Sequence, residues 1–173
     1  NYRYSTLAIV DAMGFNVGID EIPYFQDASF KLTSGNTKIG TFSIIGIGGY
    51  SYVRDWDSKE DITKLPNGKG EDYTFGTGMG AAGLIHKMII NKKINIENSV
   101  SVSYTLSKIS RDGFTVTNPT PSILYRQKSD EKGITLASNV RYKSGPKDLF
   151  QSGLSLQMLN FQFIDSIKSG SIY

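Results

Sequence analysis

Three short stretches of the chain carry residue types that could do chemistry. Residues 78–83 read Gly-Met-Gly-Ala-Ala-Gly, the glycine spacing that lets a backbone approach a dinucleotide pyrophosphate. Residues 55–61 contain four carboxylates, and clustered carboxylates are ligands for Ca²⁺. His86 is the single histidine, so it is the one imidazole available as a general base or a metal ligand.

None of these stretches fits the motif that would make it a site. The glycine motif needs a strand before it, a helix after it and an acid about 20 residues further on, and the run after residue 83 leads into a turn and another strand. The acidic stretch lacks the glycine and the distal glutamate of an EF-hand loop. His86 is accompanied in sequence neither by a cysteine nor by the serine and aspartate of a Ser/His/Asp set. A histidine alone forms neither a metal site nor a catalytic group. We therefore predict a glycine-rich strand, an exposed charged loop and a strand histidine, with no catalytic, cofactor-binding or metal-ligating residue and no enzyme activity.

Residues 94–107 indicate which secondary structure positions these residues. Apolar and polar side chains alternate along this segment, and Asn98 alone breaks the pattern. A period of two means one strand with an apolar face and a polar face. At about 3.3 Å per residue the strand spans roughly 45 Å, whereas globular strands have about 5–6 residues. This length and pattern are typical of a wall strand in a transmembrane β-barrel. One face is predicted to carry Ile94, Ile96, Val100, Val102, Tyr104 and Leu106, and the other Asn95, Glu97, Ser99, Ser101, Ser103, Thr105 and Ser107.

Composition excludes several other classes of protein. The 173 residues are 39% hydrophobic, yet no run approaches the 18 apolar residues that a transmembrane helix needs, while membrane-spanning strands remain open. The absence of cysteine excludes disulfide scaffolds and thiolate metal sites. The net charge of +3 comes from scattered lysines without a basic stripe, so no nucleic-acid partner is predicted.

Short and long polar connections alternate along the chain. Short turns are predicted at 34–37, 91–93 and 144–147, and long loops near 8–25, 53–72 and 108–132; the segment 7–13 could form a short helix inside the first loop. The prediction is an all-β fold, an antiparallel up-and-down meander of about seven strands from a transmembrane β-barrel. Outer-membrane barrels have this asymmetry, with short periplasmic turns and long extracellular loops. The predicted strands are 1–7, 26–33, 38–52, 73–90, 94–107, 133–143 and 149–163.

Aromatic residues lie near the predicted strand ends. Tyr50, Tyr52 and Tyr73 stand beside a long loop, and Tyr142 and Phe150 stand beside a short turn. This placement suits the two interfacial aromatic girdles of a membrane barrel. The simpler alternative is that aromatic residues favour strands of any kind.

The sequence also resembles a known family. Residues 1–7, 14–18, 24–32 and 40–49 are similar to the barrel of TonB-dependent outer-membrane receptors, above all the large Bacteroidota-type receptors that carry a carboxypeptidase-regulatory-like domain. The likeness continues through Asp72-Tyr73-Thr74-Phe75, Met79-Gly80 and Gly83-Leu84, and it is strongest over residues 1–85. It implies a barrel of about 22 strands closed by a plug domain, with energy delivered through TonB. No ligand-binding residue is carried over, because such residues vary with the ligand.

From the resemblance we expect that residues 1–173 form a partial outer-membrane barrel domain, without its plug and remaining strands. The expected function is a fragment of a receptor or transporter that takes up a scarce nutrient, located in the outer membrane of a Gram-negative bacterium. The expected partners are the lipid bilayer, the rest of the barrel and its plug, the TonB system and an unknown small-molecule, glycan or peptide ligand. The alternatives are a different outer-membrane barrel, such as a porin or adhesin, and a soluble extracellular β-sandwich that acts as a binding module.

Overall fold

The computed structural model describes residues 1–5, 13–14, 23–59, 61–64 and 68–168. Seven β-strands account for most of these residues, and two short 3-10 helices, Asp57–Lys59 and Ile62–Lys64, lie between the third strand and the fourth. The possible helix at 7–13 falls almost entirely outside the described residues. The strands are β1 (Tyr2–Tyr4), β2 (Tyr24–Thr33), β3 (Thr41–Trp56), β4 (Lys69–Ile89), β5 (Ile94–Thr115), β6 (Asn118–Lys143) and β7 (Leu149–Ile167).

All seven strands belong to one antiparallel sheet whose spatial order is the order of the chain. Each strand therefore pairs with its sequence neighbours, which is an up-and-down meander, and the predicted all-β fold is confirmed. The sheet is not closed, since β1 and β7 each have a single partner strand among the described residues. Strand β6 has 26 residues, several times the usual strand length of about 5–6.

One edge of the sheet, here called the turn edge, carries the three predicted short connections. Local polar groups build each of them: Ser34 Oγ accepts the Phe42 N–H at 2.9 Å, and Asn91 Oδ1 accepts the N–H groups of Lys93 and Ile94 at 2.8 and 3.0 Å. In the third, the Ser144 N–H donates to the Asp148 carbonyl at 3.1 Å. These contacts confirm the predicted turns to within a few residues.

The opposite edge, the loop edge, differs from the prediction between residues 108 and 132. No long loop lies there: β5 runs on to Thr115 and β6 begins at Asn118, so residues 116–117 alone connect them. The prediction failed because the polar–apolar alternation ends at residue 107, whereas strand pairing continues. Two irregularities in register, between Arg111 and Asp112 and between Gly113 and Thr115, further blur the period. The predicted loop 53–72 is likewise shorter, and most of 8–25 lies outside the described residues.

Register assigns every strand residue to one of two faces, because residues directly opposite one another on neighbouring strands share a face. Val102 lies opposite Ala82 and Ile134, and Ser101 lies opposite Gly83 and Thr135. We call the two sides the Val102 face and the Ser101 face. The predicted separation of alternate residues in 94–107 is confirmed.

The sheet has almost no apolar core. Phe114 is the one buried hydrophobic residue in the described part of the chain, while apolar side chains in mid-strand, such as Val102 and Ile134, are about half exposed. The accessible surface is 12578 Å². A compact globular protein of this mass exposes roughly 8,400 Å². The excess means that a large apolar area still lacks a covering. None of the described residues forms a helix with the length and apolarity needed to cross a membrane.

Candidate functional site

The Val102 face carries an apolar band that runs across six strands. From the turn edge up to Tyr52 on β3, Leu106 on β5 and Ile134 on β6, this face has no Asp, Glu, Lys or Arg among the described residues. Large side chains occupy its middle and are widely exposed. Its principal members are Phe30, Leu32, Ile44, Leu84, Ile96, Val100, Val102, Ile134, Leu136, Leu154, Leu156 and Met158.

Aromatic rings border the band on the side of the loop edge. The rings of Tyr24 and Tyr52 stack with centroids 5.0 Å apart, and Tyr50 lies beside Tyr52 at 5.9 Å. Immediately beyond them, the Arg54 guanidinium lies 4.5 Å from the Tyr52 ring centre and 5.1 Å from that of Trp56. Rings followed by cations are the order of groups found at a membrane–water boundary.

Tyr73 departs from the predicted girdle. It lies opposite Arg111 and Asp55, on the Ser101 face, whereas Tyr50 and Tyr52 lie on the Val102 face. The prediction placed all three tyrosines together because they flank one loop in sequence. Successive residues of a strand point to opposite faces, and the register between paired strands decides which residues share a face. The register places Tyr73 on the opposite face from Tyr50 and Tyr52.

A second set of aromatic rings borders the band at the turn edge. Tyr142 and Phe150 lie directly opposite each other on the Val102 face, as members of the predicted girdle. Phe42 stacks on His86 with ring centroids 4.5 Å apart, and His86 Nε2 lies 2.7 Å from the Ile39 carbonyl oxygen. His86 thus packs against a strand neighbour and a turn, which is the structural role predicted for it.

Asn98, the one polar interruption in the apolar pattern of β5, has a partner on the next strand. Ser138 lies directly opposite it on β6, and Ser138 Oγ donates a hydrogen bond to Asn98 Oδ1 at 2.8 Å. A buried or lipid-facing amide is costly without a hydrogen bond and much less so with one. The pair therefore keeps the apolar band intact across this row.

Over the same rows the Ser101 face is polar on β5 through β7, while β3 and β4 add the apolar residues Ile45, Ile47, Met79 and Ile85 to it. Charged residues there form cross-strand ion pairs, Arg3 with Asp27 and Lys87 with Glu97, both at 2.9 Å. Small hydroxyl residues fill much of the remainder, and Thr33 and Ser43 share a hydrogen bond at 3.0 Å. In these rows the charged residues of the strands therefore lie on the Ser101 face alone, and the Val102 face is free of them among the described residues.

The Ser101 face is also the concave one. A cavity of about 610 Å³ lies against it near the turn edge, and side chains from β2 through β7 line it together, which requires the sheet to curl toward that side. Its charged lining residues are Lys31, Lys38, Lys87, Arg141 and Glu97, so it has more positive than negative groups. The apolar band consequently covers the convex side.

Toward the loop edge the two faces change character. Beyond Leu106 on β5 and Ile134 on β6, the Val102 face becomes charged, with Lys108, Asp112, Arg126, Lys128, Asp130 and Lys132. On the Ser101 face, by contrast, aromatic and apolar residues appear: Tyr73, Phe75, Ile109, Tyr125, Phe161 and Phe163. This reversal was not predicted from the sequence. Its signal in the sequence is that the apolar residues move from one set of alternate positions to the other, as from Leu106 to Ile109 on β5.

The glycine motif at 78–83 has a packing role. The Tyr50 ring lies across Gly78 and its neighbour Gly76, where an added Cβ would approach Tyr50 within 3.2 and 2.9 Å. Gly80 lies opposite Gly48, so small residues also meet across the two strands. The segment lies in the middle of strand β4 with no helix after it, which confirms the predicted glycine-rich strand.

The acidic stretch at 55–61 uses its described carboxylates to hold the loop together. Asp57 Oδ2 accepts the Glu71 N–H at 2.9 Å, and Asp61 Oδ1 accepts the Thr63 N–H and hydroxyl at 3.1 and 2.7 Å. The hydrogen bonds from Thr63 hold the pKa of the exposed Asp61 below its ordinary value. In the part of the chain that the structure describes, no three His, Cys, Asp or Glu residues converge as metal ligands would.

Neither a protein family, nor a curated protein, nor a solved structure matches this chain. The features of the molecule that bear on its function are therefore the two faces of the sheet. What the arrangement can do physically is separate two media: the convex face presents an apolar band bordered by aromatic rings, and the concave face presents polar groups around a cavity.

Proposed function

We propose that the chain forms part of the wall of an outer-membrane β-barrel in a Gram-negative bacterium. The observation that carries the proposal is the charge-free apolar band on the convex face, bordered by aromatic rings at both edges. In a bilayer this band is covered by hydrocarbon, and the polar concave face meets water or polar protein. Covering it stabilises the sheet by about 25 cal/mol for each Å² of apolar surface.

The open edges of the sheet support a larger barrel. Among the described residues, strand β7, which is 19 residues long, has no partner strand along the side away from β6. In hydrocarbon each unsatisfied N–H or C=O group costs several kcal/mol, so only closed barrels persist there. Further strands beyond β1 and β7 are therefore part of the proposal.

Among outer-membrane barrels we propose a TonB-dependent receptor or transporter that takes up a scarce nutrient. The resemblance of residues 1–85 to such receptors supports this choice over a porin or an adhesin. The basic, amide-lined cavity on the concave face is suited to polar contents such as a plug domain. On this proposal the partners are the bilayer, the rest of the barrel with its plug, and the TonB system. A plug-domain sequence encoded upstream in the same gene would separate this proposal from a porin or adhesin.

A soluble β-sandwich is the weaker alternative. A sandwich covers the apolar face of one sheet with a second sheet about 10 Å away. All seven strands of the described chain lie in a single sheet, and its apolar side is the convex one. Strands of 16 to 26 residues in β3 through β7 are also far longer than a sandwich needs.

Single cysteines at the two edges test the membrane placement. Ser58 is exposed at the loop edge and Lys92 is exposed at the turn edge, and the chain has no cysteine of its own. In intact cells that express the complete gene product, a membrane-impermeant thiol reagent should label Ser58→Cys and not Lys92→Cys. Both should react after the cells are lysed.

Two other results of the labelling experiment would change the proposal. Labelling of Lys92→Cys alone in intact cells would invert the topology. Recovery of the protein in the soluble fraction, with both cysteines equally reactive, would overturn the barrel and favour the sandwich.

A further inference from the structure

Two lysines stand directly opposite each other on neighbouring strands just beyond the apolar band. Lys108 of β5 pairs with Lys128 of β6, and Lys132 follows on the same face of β6. Side chains in such opposed positions have Cβ atoms about 4.5–5.5 Å apart, where like charges destabilise a sheet. The sheet therefore holds positive charges close together at this point.

Protein carboxylates offset only part of this charge. None of the ion pairs within the described residues includes Lys108, Lys128 or Lys132. The neighbouring Arg126 is engaged by Asp112 through two hydrogen bonds of 2.6 and 2.8 Å, which leaves that pair neutral. On this face of β5, β6 and β7, Asp130 is the one acid that remains beside the three lysines, which leaves a local charge of +2 on these strands.

The position of the lysines relative to the band indicates what neutralises them. Leu106 is the last residue of the apolar band on β5, and Lys108 is the next residue of β5 on this face. Tyr104, in the band, lies directly opposite Lys132. On the neighbouring strand β7, Asn160 and Gln162 add amide groups that can donate hydrogen bonds to an oxyanion. Lysines at this depth reach the plane of lipid headgroups while their stems cover apolar surface.

We propose that Lys108, Lys128 and Lys132 bind the phosphate groups of anionic lipids in the leaflet at the loop edge. This inference rests on the proposed membrane-spanning wall and adds a specific lipid contact to it. The phosphate provides the negative charge that the opposed lysines lack, and the acyl chains of the same lipid lie along the apolar band. An anion without acyl chains would meet only the first of these requirements.

Binding of a defined lipid tests the proposal. The complete gene product, folded in a neutral detergent, is titrated with a phosphatidic acid, and bound lipid is followed by native mass spectrometry. A basic side chain near an anionic lipid surface contributes about 1 kcal/mol, or roughly fivefold in affinity. The double variant Lys108→Gln/Lys128→Gln should therefore bind phosphatidic acid roughly 30-fold more weakly than the wild type. Lys143→Gln, on the Ser101 face and outside the lining of the cavity, is the matched control and should bind like the wild type.

The variant Lys108→Glu separates lipid binding from a purely structural role. It places a carboxylate opposite Lys128, so it should stabilise the folded sheet in neutral detergent while weakening the binding of phosphatidic acid. Equal lipid binding by the wild type and the double variant would overturn the proposal. So would displacement of the lipid by inorganic phosphate at the same concentration, because that result would identify a site for free phosphate.

The outcome also distinguishes this inference from the barrel itself. If the protein folds into neutral phosphatidylcholine vesicles and the lysine variants bind phosphatidic acid normally, the lipid contact is wrong and the barrel stands. If the wild type fails to enter vesicles of either lipid, the membrane-spanning wall is wrong and the lipid contact is overturned with it.

Discussion

Strand β5 passes through two regions that obey different rules. Up to Leu106 its alternate residues separate into an apolar and a polar face; from Lys108 onward the apolar face becomes charged, and Ile109 appears on the polar face. The backbone pairing is continuous through the change. The difference teaches that the apolar–polar alternation of a strand can end while its pairing continues, so the end of the alternation is easily mistaken for the end of the strand. On the proposed membrane wall, the alternation ends where the strand leaves the hydrocarbon.

The largest test of this comparison uses two valines with the same exposure. Val102, in the apolar band, is 51% exposed, and Val116, in the turn at the loop edge, is 50% exposed. In the complete protein folded into lipid vesicles, Val102→Arg should lower the free energy of unfolding by about 2–4 kcal/mol, because an arginine near the bilayer midplane loses its hydration. Val116→Arg should change it by less than about 0.5 kcal/mol, since that side chain stays in water.

Ser101→Arg provides the control for the other face. It neighbours Val102 in sequence but points to the concave side, so its cost in a denaturant titration should fall well below that of Val102→Arg. Equal losses for the two substitutions would mean that the faces do not meet different media. A large loss for Val116→Arg would move the membrane boundary beyond Leu106.

The part of the fold that is marked by a local alternation of apolar and polar residues could be predicted from the sequence. The alternation from Ile94 to Ser107 was enough to predict a long strand and the residues on each of its faces, and the Gly, Asn and Pro clusters located the three turns. The strand continuation beyond Lys108 could not be predicted in this way, because pairing between β5 and β6 stabilises it and no local period marks it.

The opposed lysines show the same limit for the candidate site. Lys108 and Lys128 are 20 positions apart in sequence, and only the register between two strands brings them together. A one-residue shift would send one of them to the other face. Likewise, only the register placed Tyr73 away from Tyr50 and Tyr52. Long-range pairing, which composition and spacing do not encode, determines these positions.

A smaller effect is expected from the one polar pair inside the band. Ser138→Ala removes the donor that satisfies Asn98 and leaves an amide oxygen facing hydrocarbon. The free energy of unfolding in vesicles should fall by about 1 kcal/mol. Adding Asn98→Leu to Ser138→Ala should restore most of the loss, because no polar group is then left without a partner.

A hydroxyl pair near the loop edge provides the matched control. Thr115 and Thr117 share a hydrogen bond of 3.1 Å at the exposed turn. Thr117→Ala should cost much less than Ser138→Ala, since water replaces the lost partner there. Similar costs for the two alanine variants would show that the row of Asn98 is hydrated, contrary to the proposed band.

The smallest effect belongs to Asp61, in the loop beyond the band. Hydrogen bonds from Thr63 keep its pKa below the ordinary value of 3.8, so ionised Asp61 stabilises the loop above that pH. The contribution is lost as the pH falls through the lowered pKa.

A carboxyl-carbon NMR titration should find a midpoint below 3.8 for Asp61. Thr63→Val, which removes the hydroxyl donor but keeps the backbone N–H, should move that midpoint upward. Because Asp61 is exposed to solvent, the accompanying change in proteolysis of the loop should be slight, far below the effect of Val102→Arg. A midpoint at or above 3.8 in the wild type would show that the Thr63 contacts do not form in solution.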